Sequence, residues 1–142
     1  MTIGRLIEGR AAAILTCDAA MSVRDAVALL AERRIGALPV IDGGAVAGIF
    51  SERDVVYRLH EFGAAALDRK VGEVMTAPAV TVTPDTQVLA ALSLMTRRRI
   101  RHLPVIDGGR MVGFVSIGDL VKYRIDRIES EAEAMRAYIQ TA

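Results

Sequence analysis

The sequence has no tryptophan, a single cysteine, and only three phenylalanines and three tyrosines. Aromatics make up 4% of the chain and hydrophobic residues 52%, so the core must be aliphatic, and there is enough of it to exclude a disordered chain. The same shortage removes the stacking platforms that single-stranded nucleic acid requires. One cysteine, Cys17, can make neither an internal disulfide nor a multi-thiolate metal site, and it reads as a small, half-buried hydrophobe in a strand. Excess charge is lacking too. The net charge of +1 argues against a dedicated nucleic-acid binder, which is normally strongly basic. No stretch approaches the roughly 20 apolar residues of a membrane span. Residues 1–10 hold no charged region followed by a long apolar one, so no signal peptide is expected. The expectation is a soluble, cytoplasmic protein without nucleic-acid or membrane partners. Lysine is scarce as well, with only Lys70 and Lys122 among 18 basic residues. An arginine bias suits bidentate phosphate contacts, although codon composition is the simpler account.

The chain does contain a repeat. Residues 33–44 read RRIGALPVIDGG and residues 98–109 read RRIRHLPVIDGG. In the same register Gly48 falls on Gly113, Ser51 on Ser116 and Asp54 on Asp119. Roughly 13 of 22 positions are identical from 33–54 to 98–119, far more than unrelated segments share. At 142 residues, one compact unit made of two small halves is expected.

Each copy reads as β-α-β-β-α. In the first, 13–16 is a strand candidate, and Ser22 opens a helix in which Val23, Ala26, Val27, Leu30 and Ala31 recur at helical spacing. Ser22 and Asp25 suit a capping pair. Strands at 38–41 and 46–50 flank Asp42-Gly43-Gly44-Ala45, a hairpin signal, and Ser51 starts a helix to about His60. In the second copy a strand is expected at 80–82. Thr83 is read as an N-cap followed by Pro84 at the first helical position, with a helix running from Asp85 to about Arg98. Strands at 102–106 and 111–115 follow, and a helix begins at Ser116. Residues 3–8 suggest a short leading helix, and 62–72 a linker or helical turn. The predicted units are 7–62, 72–126 and a helical extension, 127–142.

The two Leu-Pro-Val-Ile-Asp-Gly-Gly segments, the two Gly-x-x-Ser-x-x-Asp segments (48–54 and 113–119) and Val74-Met75-Thr76 resemble the cystathionine β-synthase (CBS) domain family. The chain looks like a stand-alone CBS pair, a Bateman module. The resemblance implies an α/β (α+β) fold of tandem β-α-β-β-α repeats packed with pseudo-twofold symmetry. It also implies two clefts between the repeats that take adenosine-containing ligands.

At Ser51 and Asp54 two readings stand side by side. A Ser at the N-cap with an Asp three residues on is a capping box, which folding alone explains. The carboxylate of Asp54 could also accept both ribose hydroxyls, with Ser51 and the helix N-terminus near an anion. Ser116 and Asp119 repeat the pattern. The resemblance favours a ligand in at least one cleft. It implies that basic residues before Leu-Pro, Arg101 and His102, approach phosphates together with Arg53. A solvated strand end is the alternative for Arg101 and His102. The resemblance further pairs Thr76, Pro78 and Ala79 with Asp54, and 9–13 with Asp119. In the run 97–101, Arg97 and Arg98 are read as cations at a helix C-terminus.

The last helix is expected to reach about Ile139. Val121, Ile125, Ile128, Ala132, Met135 and Ile139 form a short a/d seam, which either packs back on its own domain or meets a homodimer partner. His60 and His102 lie far apart in the chain, and no nucleophile elbow, Walker loop or metal-ligand cluster is present, so no enzyme is expected. The expected role is a sensor that binds AMP first, then NAD(H), with ATP, ADP and S-adenosylmethionine as further choices, and that signals to a protein partner in trans. A ligand-free interaction scaffold is the competing reading.

Overall fold

The computed structural model describes residues 1–10 and 14–141. Consecutive glycines dictate the turn of each hairpin. β2 (Ala37–Asp42) pairs antiparallel with β3 (Ala45–Ser51), and β4 (His102–Asp107) with β5 (Arg110–Ser116). At the turns, Gly43 and Gly44 have φ of 61° and 82°, and Gly108 and Gly109 of 57° and 80°. Side chains resist that left-handed conformation, and glycine does not. Both hairpins shift register at the same place, Val40/Ile41 and Val105/Ile106. β1 (Cys17–Asp18) joins β2 in parallel through Cys17 and Val40, and Val82 makes the matching parallel bridge to Val105.

Two equivalent helices cover the hairpins, α2 (Val23–Arg33) and α5 (Val88–Arg98). Ser22 caps α2 by accepting from the Asp25 N–H at 3.1 Å. Both helices end on an arginine in the left-handed conformation, Arg34 and Arg99. Their apolar stripes fill two aliphatic cores. One holds Val23, Ala26, Leu30, Leu38, Val40 and Phe50; the other holds Val88, Ala91, Met95, Leu103, Val105, Val115 and Leu120.

Short lead-in helices cross over. α1 (Ile3–Ile7) precedes the first repeat, yet Ile3 is buried in the second core. α4 (Val71–Val74) opens the second repeat, yet Val71 and Val74 are buried in the core of the first. The backbone contacts match. Ile3 and Gly4 donate to the Thr86 and Pro84 carbonyls at 2.8 Å; Val71 and Gly72 donate to Met21 and Ala19 at 2.8 and 2.9 Å. This reciprocal exchange is the signature of two repeats related by a pseudo-twofold. A 3₁₀ segment, Gly63–Asp68, follows α3 (Glu52–Phe62) and leads to α4. Arg69 lies over the Phe62 ring at 3.7 Å, which fixes the linker to α3.

α6 (Ile117–Thr141) carries the C-terminal extension. Leu120 is buried, whereas Val121, Ile125, Ile128, Met135 and Ile139 are exposed and Ala132 is half-buried. The seam therefore does not pack back on its own domain.

Three element assignments need correction. The strand expected at 13–16 does not form at Ile14–Thr16 (Ala13 lies outside the described residues); pairing begins at Cys17. Leu15 packs against the first core, and Ile14 and Leu15 both line a cleft, so this apolar run forms wall instead of ladder. The helix expected from Asp85 starts at Val88, with Gln87 at its N-cap. Thr83 to Thr86 instead close a turn, with the Thr86 N–H donating to the Thr83 carbonyl at 3.1 Å, and the Pro84 and Thr86 carbonyls are spent on docking α1. Of 80–82, only Val82 makes a ladder contact.

Candidate functional site

The loop-to-helix junction after each hairpin builds the site. Ser51 ends β3 in extended conformation and caps α3. Asp54, three residues on, turns its carboxylate back: Oδ2 accepts from the Ser51 N–H at 2.9 Å and from its hydroxyl at 3.2 Å. The other oxygen, Oδ1, accepts from the Thr76 hydroxyl at 2.8 Å. Thr76 is held there by backbone hydrogen bonds exchanged with Ile49, both 2.9 Å. Asp54 is buried, so these donors are what make its charge tolerable. The capping reading is therefore correct at Ser51 and Asp54. It leaves acceptor capacity on the carboxylate, which offers about four lone-pair positions.

A cleft of about 620 Å³ opens beside this carboxylate. It is lined by Ser51, Arg53, Asp54, Thr76, Pro78, Ala79, Arg101 and His102, the residues expected to surround the first site. Its walls come from both repeats: the N-terminal turn of α3, the segment after α4, and the end of α5 with the start of β4. Arg53 spans them by donating to the Arg99 carbonyl at 2.9 Å.

The second cleft, about 340 Å³, lies beside Asp119 and Ser116. The Ser116 N–H donates to Asp119 Oδ2 at 2.8 Å, and the Asp119 N–H donates to the Ser116 hydroxyl at 3.1 Å. Here the other donor to the carboxylate is Arg10, whose guanidinium reaches its two oxygens at 3.3 and 3.4 Å. Arg10 belongs to the segment 9–13 expected opposite Asp119; residues 11–13 lie outside the described residues. A family model for the CBS domain matches residues 11–61 and 71–126. The chain belongs to the CBS domain family. This CBS pair is 42% identical over 131 residues to the CBS domain-containing protein CBSX3, mitochondrial, of Arabidopsis thaliana. The match covers 89% of the chain and spans 64% of the length of that relative. Among solved structures, the CBS-domain containing protein ATU1752 from Agrobacterium tumefaciens superposes with a TM-score of 0.82 at 35% identity, covering 87% of the pair and 99% of that chain. CBSX2, solved in complex with AMP, superposes with a TM-score of 0.74 at 26% identity, covering 88% and 96%.

The two clefts of the CBS pair share one wall. His102 lines both and stacks on Phe114 with 5.4 Å between ring centroids. It is half-buried, so the solvated strand end imagined for it is incorrect; Arg101 is exposed. Burial lowers the His102 pKa below its ordinary value; Asp119 and Glu52 pull it back up, and Arg101 pushes it further down. Burial pushes Asp119 up, but the Ser116 N–H and the Arg10 guanidinium outweigh it and hold the carboxyl below its usual range.

Sequence reasoning missed Tyr57, Arg58, Arg98 and Arg99 in the larger cleft. At Arg98 the helix-end role is a local one that hides its place in the cleft wall. Tyr57 and Arg58 lie three and four residues past Asp54 on α3, one helical turn on and on the same face, and that proximity is the available signal. Among the described residues no helix is long and apolar enough to cross a membrane, and no group of three or more His, Cys, Asp or Glu could hold a metal ion.

Proposed function

We propose that this CBS pair is a regulatory module that binds adenine nucleotides in its clefts and reports occupancy to a protein partner in trans. The observation that carries the reading is the convergence of Asp54, Thr76, Pro78, Ala79, Arg53, Arg101 and His102 on one cleft. A carboxylate suited to ribose hydroxyls, an apolar wall for adenine and guanidiniums for phosphate form a nucleotide's outline. The AMP complex of CBSX2 supports AMP as first choice; NAD(H) follows, with ADP, ATP and S-adenosylmethionine behind. Ser116 and Asp119 play the parts of Ser51 and Asp54 in the smaller cleft.

The cleft walls come from both repeats, so a ligand that fits one relative orientation better shifts the pair toward it. The functional units are 7–62 and 72–126, with 127–142 extending toward a second copy in a homodimer. A cytoplasmic setting belongs to the same reading. The exposed residues Val56, Leu59, Val121, Ile125 and Ile128 on α3 and α6 favour one alternative, a scaffold that works through these helices with empty clefts.

Thermal unfolding with millimolar AMP, ADP, ATP, NAD(H) or S-adenosylmethionine, and GMP as control, separates the two. A ligand at 100 times its Kd stabilises by about 2.7 kcal/mol. A raised midpoint with an adenosine ligand, absent with GMP and lost in Asp54→Ala, supports the sensor. An unmoved midpoint in protein stripped of co-purified nucleotide supports the scaffold.

A further inference from the structure

The two clefts differ in charge as well as in size. Arg53, Arg58, Arg98, Arg99 and Arg101 all line the larger one, against the carboxylates of Glu52 and Asp54. The smaller one is lined by a single arginine, Arg10, already paired with Asp119. The repeat register shows that this difference is built into the sequence. The counterparts of Arg53, Arg58 and Arg101 in the other repeat are Gly118, Tyr123 and Gly36. Arg33 and Arg34, the counterparts of Arg98 and Arg99, do not line the smaller cleft. A helix-end preference for cations accounts for Arg98 and Arg33 alike, but not for five guanidiniums gathered around one cleft.

Two of these arginines are fixed with donors to spare. Arg53 spends one nitrogen on the Arg99 carbonyl. Arg58 spends one on Glu61 at 2.8 Å, and its buried Nε has no partner. A guanidinium has five N–H groups, so most of the donor capacity around the cleft remains available.

We propose that the cleft beside Asp54 is a polyphosphate site, selective for nucleoside di- and triphosphates over monophosphates. The smaller cleft beside Asp119 accepts at most one phosphate. The inference rests on the adenine-nucleotide reading above and revises its order of ligands cleft by cleft: phosphate number sets the selectivity of the larger cleft, which favours ADP and ATP, and AMP as first choice belongs to the smaller one. Successive phosphates each meet a further guanidinium, and bidentate arginine contacts to phosphate are among the strongest hydrogen bonds a surface cleft can make.

The test uses isothermal titration of Asp119→Ala, which leaves the larger cleft intact, with adenosine, AMP, ADP, ATP and inorganic tripolyphosphate in EDTA at low salt. ATP is expected to bind at least about tenfold tighter than AMP, with ADP between them. The R98A/R101A double variant, folded by its unchanged melting profile, brings that ratio close to one. Equal or weaker binding of ATP relative to AMP in Asp119→Ala overturns the proposal and leaves the nucleotide sensor standing. Tripolyphosphate bound without any adenine nucleotide bound upholds the polyphosphate site and removes adenine recognition. If neither tripolyphosphate nor ATP binds, the polyphosphate site is refuted.

Discussion

Arg10 grips Asp119 with two nitrogens, at 3.3 and 3.4 Å, where in the other cleft the Thr76 hydroxyl donates to Asp54. Equivalent carboxylates thus meet unlike guards: one is a neutral hydroxyl, the other a cation that a ribose must displace. Arg10→Ala is expected to raise the Asp119 pKa toward its ordinary value, because a stabilising partner of the ionised form is gone. Carboxyl ¹³C titration by NMR reads this directly. In an Asp54→Ala background, the same change tightens adenosine binding by up to about fivefold, the worth of an exposed ion pair.

His102 gives nucleotide binding a pH dependence. Burial holds its pKa below the ordinary value, so at neutral pH the ring is uncharged. As pH falls toward and below 6.5, protonation adds a positive charge to the wall of both clefts. Affinity for phosphorylated ligands is expected to rise over that range, with proton uptake on binding; affinity for adenosine stays flat. His102→Gln removes the histidine's share of the dependence and leaves that of the ligand's own terminal phosphate, which titrates at about pH 6. Without nucleotide the sign reverses for stability: a depressed folded-state pKa means the unfolded chain takes the proton more readily, so stability falls as pH drops below about 6.5. Calorimetry in buffers of different ionisation enthalpy and melting curves across pH check the two halves.

Gly48→Ala and Gly113→Ala are equivalent changes with unequal cost. A Cβ at Gly48 would sit 2.6 Å from the Thr76 carbonyl oxygen, which is locked to the Ile49 N–H. At Gly113 the obstacle is Ile7 Cδ1, at 2.8 Å, the end of a side chain that can turn. Gly48→Ala is expected to lose about 1–3 kcal/mol and Gly113→Ala less, measured by urea unfolding. Equal losses would refute the distinction.

Cys17 should be inert. Burial, aided by Asp18, pushes its thiol up to about 11. Only the thiolate reacts, so alkylation of the folded protein at pH 7.5 is expected to run at least about 100-fold slower than for an exposed cysteine. Labelling before and after denaturation reads the difference by mass.

The hairpins were legible in the sequence because their turns depend on two adjacent glycines and the repeat states the pattern twice. The Ser51–Asp54 geometry was legible because a capping box is a local rule. The start of α5 was not. Thr83 and Pro84 obey a local helix-start rule, but their carbonyls are claimed by Ile3 and Gly4 from the far end of the chain, and no window of sequence contains that contact. The family resemblance set 9–13 opposite Asp119, but the ion pair that Arg10 makes there, across 109 residues, follows from no local rule.

The exchange of α1 and α4 has a consequence for how the molecule comes apart. Ile3 fills the core of one half and Val71 that of the other, so neither repeat carries a complete interior within its own stretch of chain. Cutting at the boundary between the repeats would leave two fragments, each with a hole shaped for a segment the other holds. The pair should therefore melt in one transition, and damage at Ile3 should be felt first in the second repeat, more than eighty residues downstream at Val88 and Ala91.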